Sequence, residues 1–200
     1  MDNQEIIDNF VTQAKFGNLD KVKELLDEGV DINSKSKRGR TALMMASRFG
    51  KEDVVEFLLK KKANPNLRDN EGMTALMLAI EGHSMECVDV LLRSKVNLNI
   101  KDKCGLDAIL FAIRTGQADV VSKLIDNGVK VKRSLFDEAE NCGRTEIFLL
   151  LEAKKREVRK QEKMEKILAN KEKYKKDCAE KNEAKRTTTS QIKNGMDFDR

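Results

Sequence analysis

Histidine and cysteine set the first limits on what this chain could do chemically. The 200 residues contain one histidine, His83, so no two-histidine metal site can form. Any Ser-His-Asp or Cys-His arrangement would have to pass through that one ring. The four cysteines, Cys87, Cys104, Cys142 and Cys178, have no C-x-x-C spacing, and a chain of this size needs no disulfide staples. Zinc and disulfides are therefore not expected. Neither G-x-x-x-x-G-K-[ST] nor G-x-G-x-x-G occurs, so no phosphate-cradling loop of known type is present. Carboxylate pairs such as Glu52-Asp53 fall where a helix would start, and there they complement its dipole. No catalytic set emerges. The expectation is a protein without enzymatic activity, cofactor or metal.

Composition bounds the rest. Charged residues make up 36% of the chain, above the roughly 25% of ordinary soluble proteins, so much of it must be solvated. With glycine added, apolar residues reach the usual range of about 45–50%, which allows a real core. The longest apolar runs, such as residues 147–151, fall far short of the roughly 20 needed to cross a bilayer. The acidic opening Met1-Asp2-Asn3-Gln4-Glu5 does not read as a signal peptide. An intracellular, cytoplasmic protein is expected, with the nucleus as the alternative.

The elements that position these residues recur at a fixed interval. Leu25, Leu58, Leu91 and Leu124 are each 33 residues apart. Thr41-Ala-Leu-Met-Met-Ala46, Thr74-Ala-Leu-Met-Leu-Ala79 and Asp107-Ala-Ile-Leu-Phe-Ala112 repeat at the same period. Gly17, Gly50 and Gly116 divide each unit into two short helices, and Thr41 or Thr74 can cap the first through its hydroxyl. Asp, Asn and Gly cluster between units, as in Arg68-Asp-Asn-Glu-Gly72, which predicts a tight turn. A period of this length signals a solenoid.

These motifs, with Gly29-Val-Asp-Ile-Asn33, Lys62-Ala-Asn-Pro-Asn66 and Lys95-Val-Asn-Leu-Asn99, closely resemble the ankyrin repeat. The resemblance implies an all-α solenoid of helix-turn-helix units with β-hairpin fingers. Four units span about residues 5–133. A fifth is degenerate: Ser134 follows Asp107 by 27 residues rather than 33, so six residues of its finger are missing, as suits a capping unit. A tetratricopeptide array fits poorly, since the chain has no Trp and one Tyr. Two departures stand out. The histidine of the family's first helix is replaced by Met44, Met77 and Leu110, so softer apolar packing is expected there. In the third unit the glycine comes one residue early, as Gly82-His83, which predicts a first helix one residue shorter.

In proteins similar to this one, partner contacts come from finger tips and the ends of first helices on the concave side. Carried over, these slots are Lys35, Lys37, Arg38, Arg40, Arg48 and Phe49 in the second unit. The third supplies Arg68, Asn70, Glu71, Met73, Glu81 and Gly82, and the fourth Lys101, Lys103, Cys104, Leu106, Arg114 and Thr115. They hold nine cations and two anions, whereas residues 1–151 as a whole carry 23 Lys and Arg against 24 Asp and Glu. Charge is thus segregated, although the nearby Asp69 and Asp102 moderate it. A one-signed groove attracts the opposite charge, so an acidic segment of a protein partner is expected there. The cluster Lys35-Ser-Lys-Arg-Gly-Arg40 and Phe49 offer guanidinium forks and an aromatic anchor.

From Glu152 to Arg186 the chain is rich in Lys, Glu, Ala and Arg without Gly or Pro, and reads as a charged helix with 14 cations and 8 anions. Its apolar positions, Val158, Met164, Ile167, Leu168, Tyr174 and Cys178, make a thin seam suited at most to a weak coiled coil. Residues 187–200 are polar and expected to be disordered. The organisation expected is therefore a repeat domain over 1–151, a helix over 152–186 and a tail. Its function is that of an adaptor, a non-catalytic interaction module, monomeric or weakly oligomeric through the helix. The rival readings are a nucleic-acid or anionic-lipid binder using groove and tail together, and a structural oligomer. On the first reading, reversing Arg38 and Arg40 to Glu weakens partner binding and leaves thermal stability almost unchanged.

Overall fold

The computed structural model describes residues 3–94 and 96–195, with side chains through Lys173 and at Lys175. Ten helices occupy the described residues. They are α1 (Asn3–Phe16), α2 (Leu19–Asp27), α3 (Ala42–Arg48), α4 (Glu52–Lys60) and α5 (Ala75–Glu81), then α6 (Met85–Arg93), α7 (Ala108–Thr115), α8 (Ala118–Asp126), α9 (Arg133–Asn141) and α10 (Thr145–Gly195). The chain divides into two compact units, Met1–Glu152 and Ala153–Arg200. In the first, α1 to α10 form five successive pairs, with α10 entering by its first two turns. No helix among the described residues is long and apolar enough to cross a membrane.

Each pair forms because its two short helices share one apolar face. Leu25, Leu58, Leu91 and Leu124 are all buried, as are Met44 and Met77, so the repeating positions build one continuous core. The odd-numbered helices α1, α3, α5, α7 and α9 pack more extensively on their neighbours in the row than the even-numbered ones do. Thr41 Oγ1 accepts the Met44 amide at 3.3 Å, Thr74 Oγ1 that of Met77 at 3.3 Å, and Asp107 Oδ1 that of Leu110 at 3.1 Å. Met44 does more than pack: its sulfur accepts from the Thr41 amide at 3.4 Å.

Neighbouring pairs also close each other's helix ends. The Arg48 carbonyl accepts from Ser84 Oγ at 3.4 Å, that of Ile80 from Gln117 Nε2 at 2.7 Å, and that of Arg114 from Arg144 Nη2 at 2.8 Å. Among the described residues the Arg48 and Arg114 carbonyls accept no backbone bond, so the stack completes what those helices lack, while the Ile80 carbonyl also accepts from His83 N–H at 3.1 Å. A second series runs through the connecting loops. Asn64 N–H donates to Asn33 Oδ1 and Asn97 N–H to Asn66 Oδ1, each at 2.8 Å.

The third unit departs from expectation. Its first helix, α5, has seven residues, the same as α3, and is not shortened. Gly82 takes an ordinary φ of −79°, and His83 occupies the left-handed slot at φ 53°, where Gly50 sits at 66° one unit earlier. The reason is steric. A Cβ on Gly82 would collide with the Arg48 carbonyl of the preceding unit, so the glycine serves close backbone approach and His83 bears the backbone strain. The histidine side chain is exposed.

The fingers, expected as β-hairpins, are single tight turns. One finger is closed by Ser36 N–H to Arg40 O and the next by Asp69 N–H to Met73 O, each at 2.9 Å. The flanks are too short to extend a ladder, and no strand occurs among the described residues.

In the second unit, Val158, Met164, Ile167 and Leu168 are exposed, and Lys154 pairs with Glu157 at 4.0 Å. The side chains of Tyr174 and Cys178 lie outside the described residues. The helix runs past Thr187 to Gly195, so the segment expected to be disordered is helical over 187–195. No glycine or proline interrupts it earlier. Residues 196–200 of that expected tail lie outside the described residues.

Two stability results follow from this packing. Gly82→Ala costs more than about 2 kcal/mol, because backbone must move to admit the methyl group. His83→Gly changes stability by less than about 1 kcal/mol, since relief of left-handed strain is offset by chain entropy. Urea denaturation of both variants measures the order; equal costs would refute the steric account of Gly82.

Candidate protein-binding face

The finger tips are built by one repeated device. Position 36, 69 or 102 carries a short polar side chain that accepts backbone amides of its own turn. Ser36 Oγ takes Arg40 N–H at 3.3 Å, Asp69 Oδ1 takes those of Glu71 and Met73 at 2.9 Å, and Asp102 Oδ1 takes that of Leu106 at 2.8 Å. The tips are then tied to each other. Asn70 N–H donates to Arg38 O at 3.2 Å, and Lys103 N–H to Glu71 O at 2.9 Å. Asn70 Nδ2 also reaches Lys37 O at 3.2 Å. The row of tips is thereby fixed before any partner arrives.

This scaffold sorts the expected site residues into three groups. Met73 and Leu106 are 8% exposed, tucked beneath their turns, and offer a partner almost no surface. Three of the cations face acids. Arg40 Nε lies 3.2 Å from the buried Asp69 carboxylate, Arg48 pairs with Glu81 at 3.2 Å, and Arg114 pairs with Glu138. Hydrogen bonding to Glu138 raises the Arg114 pKa above its ordinary value. Lys35 and Arg68 brace the fingers by donating to backbone carbonyls, Arg68 O at 2.8 Å and Gly72 O at 3.3 Å respectively. Lys37, Arg38, Lys101 and Lys103 remain, exposed and without ion-pair partners among the described residues. A cleft of about 290 Å³ brings Lys37, Arg38 and Arg40 together with Asp69, Asn70 and Glu71. Cys104 is exposed; Gly82 is also exposed, and Thr115 is partly buried.

Cys87 lies in the core, where burial, and then the charges of Glu52 and Glu86, push its thiol up to about 11. It is a packing residue, inert at neutral pH.

At the far ends of the first helices, the structure adds Lys15 and Phe16, absent from the sequence-based set, beside the expected Arg48 and Phe49. Phe16 is 61% exposed and Phe49 43% exposed. Lys15 Nζ lies 5.3 Å from the centre of the Phe16 ring and 4.9 Å from that of Phe49, while the Arg48 guanidinium lies 6.0 Å from Phe49. Phe16 and Lys15 precede Phe49 and Arg48 by the 33-residue period. That spacing was the available signal, missed because the first unit has no finger motif to attract attention.

Paired helices, 33-residue register and turn-capped fingers define a solenoid of nearest-neighbour repeats. Residues 11–102 match the family model for ankyrin repeats in three copies, so that part of the chain is similar to an ankyrin repeat array. No curated protein matches it. Ankyrin arrays are in general protein–protein interaction modules and are typically non-catalytic.

Because Arg40 is held against a buried carboxylate, the expected neutrality of a combined Arg38 and Arg40 reversal is corrected. Arg40→Glu sets two carboxylates together and lowers stability by about 2 kcal/mol or more. Arg38→Glu stays within about 0.5 kcal/mol. Thermal melts of the two single variants would expose an error if their midpoints were alike.

Proposed function

We propose that this protein is a non-catalytic adaptor whose ankyrin array binds an acidic segment of a protein partner. The observation that carries the reading is the combination of the unpaired cations Lys37 and Arg38 on a fixed finger tip with the exposed Phe16 and Phe49 under Lys15. Unpaired cations steer and orient an acidic chain, and exposed aromatic rings supply the apolar anchor that charge alone lacks. The rings and cations sit on a rigid stack, so little ordering cost falls on this side of the complex.

Groove variants test the reading against a panel of acidic peptides, each carrying one aromatic residue. Lys37→Glu with Arg38→Glu weakens the preferred peptide about tenfold, and Phe16→Ala with Phe49→Ala does so by at least as much. Thermal stability of both double variants is nearly unchanged. Duplex DNA competing as well as the peptide, or affinities unmoved by either pair of substitutions, would overturn it.

A second reading rests on the second unit, where Met164, Ile167 and Leu168 are exposed on a charged helix. Self-association through that helix makes sedimentation mass depend on concentration, and Ile167→Asp with Leu168→Asp abolishes the dependence. A monomer mass at every concentration eliminates this reading.

A further inference from the structure

Two hydrogen-bond series run along the array, and both end at the fourth unit. Along the finger tips, Arg38 O accepts from Asn70 N–H and Glu71 O from Lys103 N–H. The next carbonyl in register, that of Cys104, accepts no backbone bond among the described residues. In the connecting loops, Asn33 accepts from Asn64 N–H and Asn66 from Asn97 N–H. The next side chain in register, Asn99, accepts none among the described residues. The finger series ends because of the six-residue shortfall between Asp107 and Ser134, which leaves the fifth unit without a finger, whereas the loop series ends although Lys130, in register with Asn64 and Asn97, is present.

The place where that finger would lie is open. A cavity of about 650 Å³ separates the fourth unit from the fifth, with Asn99, Lys101, Lys130 and Lys132 on its walls and Leu110 and Leu135 beneath. Lys101, Lys130 and Lys132 are exposed and have no ion-pair partner among the described residues. One acid, Asp107, lines the space, and its carboxylate is engaged by the Leu110 amide at 3.1 Å. The wall is therefore cationic and carries the Asn99 amide, its floor is apolar, and the unmet Cys104 carbonyl lies on the finger of the same fourth unit.

We propose that an extended acidic segment of a protein partner replaces the missing fifth finger. Its backbone N–H groups continue the finger series at Cys104 O, with Asn99 Oδ1 on the cavity wall as a further acceptor, while its carboxylates meet the three lysines. Six residues in extended form reach about 20 Å, which sets the length of the segment. This is backbone addition to an open edge, with side-chain charge giving selectivity. A free phosphate could meet the lysines but presents no row of amide donors. The site is separate from Lys37, Arg38, Phe16 and Phe49, and depends on the proposed adaptor role only for the sign of the partner's charge.

The test uses the full chain and a fluorescein-labelled hexapeptide of alternating Glu and Val, read by anisotropy. Two further copies carry N-methyl groups on one or the other edge of the extended peptide. The parent peptide binds, and Lys101→Glu with Lys130→Glu and Lys132→Glu weakens it about tenfold or more. One N-methylated copy loses about fivefold or more and the other binds like the parent, because only one edge pairs. Lys37→Glu with Arg38→Glu leaves this binding unchanged. Equal binding of all three peptides, displacement by inorganic phosphate at matched ionic strength, or unchanged affinity in the triple lysine variant would overturn the proposal. Loss in the Lys37 and Arg38 variant alone would do so too, while leaving the adaptor reading standing.

Discussion

Everything in the repeat unit depends on the fact that a helix pair this short cannot bury its own apolar face. Helices of seven to nine residues are below the length at which isolated helices persist in water. They persist here because Leu58 or Leu91 is sealed by the adjacent pair as well as by its own. The same dependence extends to polar groups. The carbonyls of Arg48 and Arg114, left open at helix ends, are closed by Ser84 and Arg144 of the following pair, and that of Ile80 gains Gln117 beside the His83 amide of its own turn. Packing and hydrogen bonding therefore share one direction and one period, which makes the register between units hard to slip.

That shared period explains what the sequence made legible. The 33-residue recurrence located the buried column, the Thr41 and Thr74 caps and the break in the fifth unit. It could not tell a glycine needed for φ from one needed for space. Gly82 and Gly50 look interchangeable as helix terminators, yet one faces a neighbouring carbonyl and the other adopts a left-handed backbone. Lys62, at φ 66°, makes the same point where the family pattern has glycine. Nor could period alone sort the cations. Arg40 and Arg38 are two residues apart in one basic run, but only Arg40 reaches the carboxylate that Asp69 presents from the next finger. That distinction lies in a contact 29 residues away.

The face that remains after pairing is smaller than the one that composition suggests, and more selective. Arg40, Arg48 and Arg114 hold the array together, so their charge is largely unavailable to a partner. The more exposed pairs of Arg48 and Arg114 add little stability, unlike Arg40 against the buried Asp69, yet all three fix where neighbouring groups point. The unpaired set is confined to finger tips, and the exposed rings to the ends of α1 and α3. A partner that engages both must span first-helix ends and fingers, which favours an extended or loop-like segment over a point charge.

The degenerate end carries the same logic to its limit. In a periodic stack every unit donates in one direction and accepts from the other, so the last complete unit must keep acceptors unmet unless a cap closes them. Here the fifth pair caps the apolar core, with Leu135, Ile147 and Leu151 buried, and Arg144 closes the last helix end. It does not cap the fingers. Apolar surface left open would cost stability directly, whereas carbonyl and amide acceptors facing water remain solvated at little cost. A chain that shortened its final finger by six residues thus kept its fold while leaving one edge in register, lined by lysines and open to an incoming backbone.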